Sequence, residues 1–126
     1  MKVVDNEILH FEHKQWLGEI DFWCDEIKTF QSRIKEIEHK WTNPDVLAEL
    51  GQYINQFQYN LEKINQLKKE INEHEHVIAK QYAANENAID RVYMKRHINF
   101  RDRFDIRKTI YNELKRRFFL FLSHHL

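Results

Sequence analysis

The sequence predicts an all-α fold: an elongated, up-down-up three-helix bundle with heptad-like seams. Three observations lead there. The 126 residues include only two glycines and one proline, too little turn punctuation for a sheet protein. Charged residues make up 32% of the chain, yet 42% is hydrophobic and 13% aromatic, enough apolar material for a packed core. Apolar residues also recur in steps of three and four over three long stretches, the period of helices packed at shallow angles. The length suits one helical-bundle domain over 1–126.

The first helix is expected over about 5–41. Its seam is Leu9, His13, Trp16, Ile20, Trp23, Ile27, Phe30, Ile34, Ile37 and Trp41, apolar throughout except for His13. Asp5 is the expected N-cap. TNPD at 42–45 then marks the clearest boundary. Asn43 caps, Pro44 takes the first helical position, and Asp45 suits the positive end of the helix dipole. The second helix is expected over about 44–80, along Leu47, Leu50, Ile54, Phe57, Leu61, Ile64, Leu67, Ile71, His74 and Ile78.

The stretch QYAANENAID at 81–90 contains neither glycine nor proline. The seam phase runs on through Ile78, Tyr82, Asn85 and Ile89, and one continuous helix there would imply an intertwined dimer. A break capped by Asn85 or Asn87 lets three helices of similar length close one core, and is the reading preferred. The third helix is then expected over about 86–122, with Ile89, Tyr93, His97, Phe100, Phe104, Arg107, Tyr111, Leu114, Phe118 and Phe121 as its seam. Each helix would be roughly 54 Å long.

The charge is zero overall and uneven along the chain. Residues 5–41 carry nine acids and five bases, residues 44–80 six and four, and residues 86–122 five and ten. Acidic first helices and a basic third helix can attract one another within a bundle. That reading is preferred over a nucleic-acid-binding face, which would need an unpaired basic surface. The single cysteine, Cys24, can form no internal disulfide. MKVVDNEILHFEHK lacks the apolar core of a signal peptide, and FFLFL at 118–122 is far shorter than a membrane span. A cytoplasmic protein with no membrane association is the expectation.

Every seam contains one histidine. With short antiparallel connections, His13 falls level with about residue 72, His74 with about 92, and His97 with about 69 of the second helix and about 16 of the first. The three histidines therefore face the core near one depth. EINEHEH at 70–76 supplies His74, and Glu70 lies four residues before it on the same side. Glu73 and His76 are expected to face water. His10 sits one turn before His13, and Glu19, Glu75, Arg101 and Asp102 lie close to the same layer. Imidazoles and carboxylates projecting inward from several helices suit Zn, Fe or Mn. The candidate ligands are His13, His74, His97 and Glu70, with His10 and Glu19 as further members. Seam histidines are also used as hydrogen-bonded core residues that fix helix register, so a purely structural polar layer is the competing reading. A catalytic acid–base cluster is a third.

HINFRD at 97–102 reads HxxxxD and is similar to the last ligand motif of hemerythrin-type di-iron bundles. No HxxxE, no HxxxH and no fourth helix accompany it, so the similarity stays a fragment. HKQWLGEIDFWCDEI (13–27), LKKEINEHE (67–75), HINFRDRF (97–104) and YNELKRRFFLFL (111–122) resemble a group of small all-helical proteins of Bacteroidetes-type bacteria. That resemblance implies a helical fold and a free-standing domain. It brings no activity and no site residues.

No glycine-rich phosphate loop, nucleophile elbow or Ser-His-Asp arrangement occurs, which argues against a hydrolase or nucleotide enzyme. Trp16 and Trp23 read as core, and Cys24 as structural. Gly18 and Gly51 read as close-approach points or tolerated defects. At KRRFFLFLSHHL, Phe118 and Phe121 belong to the seam while Phe119 and Leu120 point elsewhere. They either close the bundle end or present a homodimer or protein-partner surface. Two functions of different class follow: a helical metal-binding protein, or a non-enzymatic interaction module whose polar layer is structural.

Overall fold

A computed structural model describes residues 6–84 and 91–126 of the chain. It contains α1 (Asn6–Lys40), α2 (Pro44–Ala84) and α3 (Arg91–His125), and no strand among the described residues. The Asn43 cap forms as expected. Its side-chain oxygen accepts from the Asp45 and Val46 amides at 2.9 and 3.3 Å, and its carbonyl accepts from the Leu47 amide at 3.0 Å. The expected Asp5 cap, the Asn85 and Asn87 caps, the seam side chain Tyr82 and the seam residue Ile89 lie outside what is described.

α1 and α2 run antiparallel, with Phe30 beside Phe57, Cys24 beside Asn65 and His10 beside Glu75. α3 returns along α2, with Tyr53 beside Phe118 and His74 beside His97. α1 and α3 are parallel and meet through large rings. Trp16 and Trp23 both stack on Phe104, and Trp23 also reaches Tyr111. The register differs from the sequence expectation by about a turn on the α2–α3 side. α2 continues past Lys80 to Ala84, and α3 begins at Arg91, so each α2 residue meets a later residue of α3.

The seams bury as their spacing predicts. Ile20, Ile27, Ile34, Leu50, Phe57, Ile64, Leu67, Ile71, Tyr111, Leu114 and Phe118 are essentially inaccessible, and full burial of such side chains stabilises by about 1.5–3 kcal/mol each. Phe30, Ile37, Trp41, Leu47, Ile54, Leu61 and Phe100 are half-buried against this core. Arg107 departs from the pattern in being half-buried, with its Nη1 shielded and unpartnered. Asn60 is also buried and donates to the Gln56 carbonyl at 2.8 Å. Phe119 and Leu120 are exposed, beside the buried Phe121. A Cβ on Gly18 or Gly51 would meet nothing within 4 Å, so neither glycine marks a close approach.

The basic charge of α3 is answered by the acids of its neighbours. Arg101 pairs with Glu12, Arg103 with Glu70, Lys108 with Glu19 at 3.2 Å, and Lys115 with Glu26 at 3.0 Å. The intramolecular reading of the charge pattern thus has direct partners. Among the described residues, no helix is long and apolar enough to cross a membrane.

Candidate metal centre

The three seam histidines meet. His13 and His97 are fully buried and His74 is 5% exposed. One ligand nitrogen from each lies within 4.8 Å of the other two. His13 and His97 rings are 4.9 Å apart, His13 and His74 rings 5.2 Å. Trp16 stacks on His97 at 5.0 Å and Phe100 packs on His74 at 4.9 Å. Leu9 and Ile78, both buried, lie one turn further out and shield the layer from the bundle end. The histidines therefore sit in an apolar sleeve, and the field around each ring is set by a few polar neighbours.

Two of those neighbours are carboxylates. Glu75 accepts from Nδ1 of His13 and from Nδ1 of the more exposed His10. Glu12 accepts from Nε2 of His97 at 3.1 Å and is gripped by Arg101 through Nε at 3.0 Å and Nη2 at 2.6 Å. The Arg101 hydrogen bond holds the Glu12 carboxyl below its usual range. Burial works to raise the Glu75 carboxyl, but the hydrogen bonds from His13 and His10 outweigh it and hold it low. Both groups are carboxylates at neutral pH and can only accept.

The carboxylates constrain the tautomers. His13 must carry its proton on Nδ1 and His97 on Nε2, so in the neutral rings His13 Nε2 and His97 Nδ1 are both lone pairs. These two nitrogens face each other at 3.1 Å. Two lone pairs at that distance repel unless a cation lies between or beside them. The third ring has the complementary need. Nε2 of His74 is buried with no hydrogen-bond partner, at a cost of about 1–3 kcal/mol. Burial above all pushes the His74 pKa down to about 4. Burial also lowers that of His97, against the opposing pull of Glu12. Neutral imidazoles are the form that binds metal.

The outcome for the expected residues is mixed. His13, His74 and His97 converge. His10 reaches the layer only through Glu75. Glu70 turns outward to Arg103 and Glu19 to Lys108, so neither carboxylate joins the histidines. α3 sets Arg103 opposite Glu70 and Lys108 opposite Glu19. Glu73 and His76 are exposed, as expected. Asp102, the acid of the hemerythrin-like fragment, is exposed as well, and Arg101 beside it supplies the inward contact. Sequence reasoning overlooked Glu12 and gave Glu75 no role. Both directly adjoin a seam histidine, at the flanking positions that line a helix–helix interface, and that adjacency was the available signal.

Among the described residues, no second group of this kind converges. Cys24 donates its thiol to Asn65 at 3.4 Å, and burial raises its pKa, which suits a structural thiol. No protein-family model, curated protein or solved structure matches the chain.

Proposed function

We propose that this chain binds a divalent transition metal through His13 Nε2, His97 Nδ1 and His74. The observation that carries the reading is the pair of ring nitrogens held 3.1 Å apart, with a carboxylate on the opposite edge of each ring. Metal-bound histidines characteristically donate their other N–H to a carboxylate, which fixes the tautomer and the ring orientation. The 3.1 Å separation is close to the roughly 3.3 Å edge of a tetrahedral site with bonds of 2.0–2.1 Å. The wider spread to His74 asks for a side-chain shift of about an ångström, and its unpartnered Nε2 has nothing to lose by it. Three neutral nitrogen ligands favour zinc, with iron or manganese fitting better if a carboxylate also turns inward. The ion would cross-link all three helices at one end of the bundle.

Elemental analysis of tag-free protein, purified without chelator or metal resin, tests the reading. Metal near one equivalent per chain is expected, and is lost in His13→Ala and His97→Ala. Metal-free protein whose melting does not respond to Zn, Fe(II) or Mn overturns it. One observation favours a second reading: 3.1 Å is also hydrogen-bond distance. A proton shared between His13 and His97 would make the layer a register-fixing polar network, and the same variants would then alter stability alone.

A further inference from the structure

We infer that the bound metal keeps an open coordination position, reached through a cleft between α2 and α3, and that a small monoanion fills it. This rests on the metal reading above. Two independent features of the structure lead to it.

The first is the donor count. Among the described residues, three histidines converge and no fourth protein ligand joins them. Glu75 and Glu12 are spent on the outer edges of His13 and His97, and Glu70 and Glu19 are paired with Arg103 and Lys108. Structural zinc sites close with four protein ligands, whereas three leave a position for an exogenous one. The charge count agrees. A divalent ion on three neutral imidazoles brings two positive charges into a buried layer. Glu75 offsets one, while the charge of Glu12 is already matched by Arg101. Among the described residues that touch the histidines, a single positive charge is then left uncompensated in an apolar sleeve, and burying it so is costly. One monoanion, such as hydroxide or a small carboxylate, balances it.

The second is access. Leu9 and Ile78 are buried one turn towards the bundle end, and Trp16 stacks on His97 from the core side. On the α2–α3 side a single ring, that of His74, separates the layer from the surface. A cleft of about 310 Å³ opens there, with His74 among its lining beside Phe100, Val77, Glu70, Glu73 and Arg96. That volume admits a few small molecules and no large substrate. His74 is the one ligand lying between the cleft and the other two rings, and its Nε2 has no hydrogen bond to hold it. Arg96 is exposed at this opening and can draw an anion in, while Glu73 opposes it and the charge of Glu70 is taken up by Arg103.

The test uses full-length protein loaded with cobalt(II), whose visible bands report coordination number, and azide as the monoanion, titrated at constant ionic strength. Saturable azide-dependent change in the cobalt bands is expected. Arg96→Glu should weaken the apparent azide affinity about fivefold, and Glu73→Gln should tighten it about twofold, as charge changes at a cleft mouth do. Stoichiometric cobalt with bands indifferent to azide overturns this inference and leaves the metal reading intact. Azide binding that neither variant alters overturns the cleft as its route. Failure to bind cobalt or zinc at all overturns both.

Discussion

Replacing His74 with leucine should make the metal-free protein more stable and the metal-loaded protein less so. Leucine has about the volume of histidine and no polar atom. Nε2 of His74 is buried without a partner, so its removal relieves a desolvation cost of about 1–3 kcal/mol. For a 126-residue chain, 1 kcal/mol corresponds to about 4 °C in Tm. His74→Leu treated with chelator should therefore melt about 4 °C or more above the wild type. Saturating zinc at about a hundredfold over Kd should add about 2.7 kcal/mol to the wild type, roughly 10 °C, and should add far less to the variant. Acid dependence should change too. The His74 pKa is depressed from 6.5 to about 4, so the folded state favours the neutral ring. The stability this gives is fully present above about pH 6.5 and is lost as pH falls towards about 4, a difference of up to about 3 kcal/mol. Leucine removes that dependence. Calorimetry with chelator and with zinc, at pH 7 and pH 4.5, reads all three effects. A chelated variant that melts below the wild type would show that Nε2 is satisfied and sink the reasoning. So would an unchanged response to zinc.

Three other outcomes follow from the fold. Gly18→Ala should raise stability by about 0.5–1 kcal/mol in urea melts, because the added methyl meets nothing and the helix interior loses a glycine; destabilisation would mean a contact was missed. Tyr111→Phe should cost about 1.5–3 kcal/mol, since the buried hydroxyl donates to Glu26 at 2.5 Å and Glu26 is also held by Lys115. A cost under about 0.5 kcal/mol would show that water replaces the bond. Cys24 should react with a disulfide reagent only as fast as the bundle opens, being buried with a raised pKa. Immediate labelling of native protein would contradict that.

How much could be read in advance differed from residue to residue. The seams were legible because a helix repeats every 3.6 residues and the apolar side chains keep to one stripe. Trp16, Ile20, Phe57 and Phe118 are buried where that stripe put them. The histidines were legible for the same reason: His13, His74 and His97 interrupt apolar seams, and a seam position faces the core whatever occupies it. The partner of Glu70 was not legible, because i,i+4 spacing gives a shared side of α2 but not what α3 sets opposite, and Arg103 stands there. Glu12 went unseen because it flanks the seam, where a side chain can turn to water or to the interface. Only Arg101 opposite decides which.

The amino-acid sequence by itself determined the all-α class, the boundary at Asn43 and Pro44, and the inward aim of three histidines, because each follows from local periodicity and backbone chemistry. The tertiary structure decided the register, and with it the site. The length of α2 beyond Lys80 sets which residue of α3 meets His74. The registers of α1 against α2 and α3 put Glu75 and Glu12 on the outer nitrogens of His13 and His97, and so turn the inner nitrogens toward each other. Such pairings depend on distances between atoms far apart in the chain, and no local pattern encodes those.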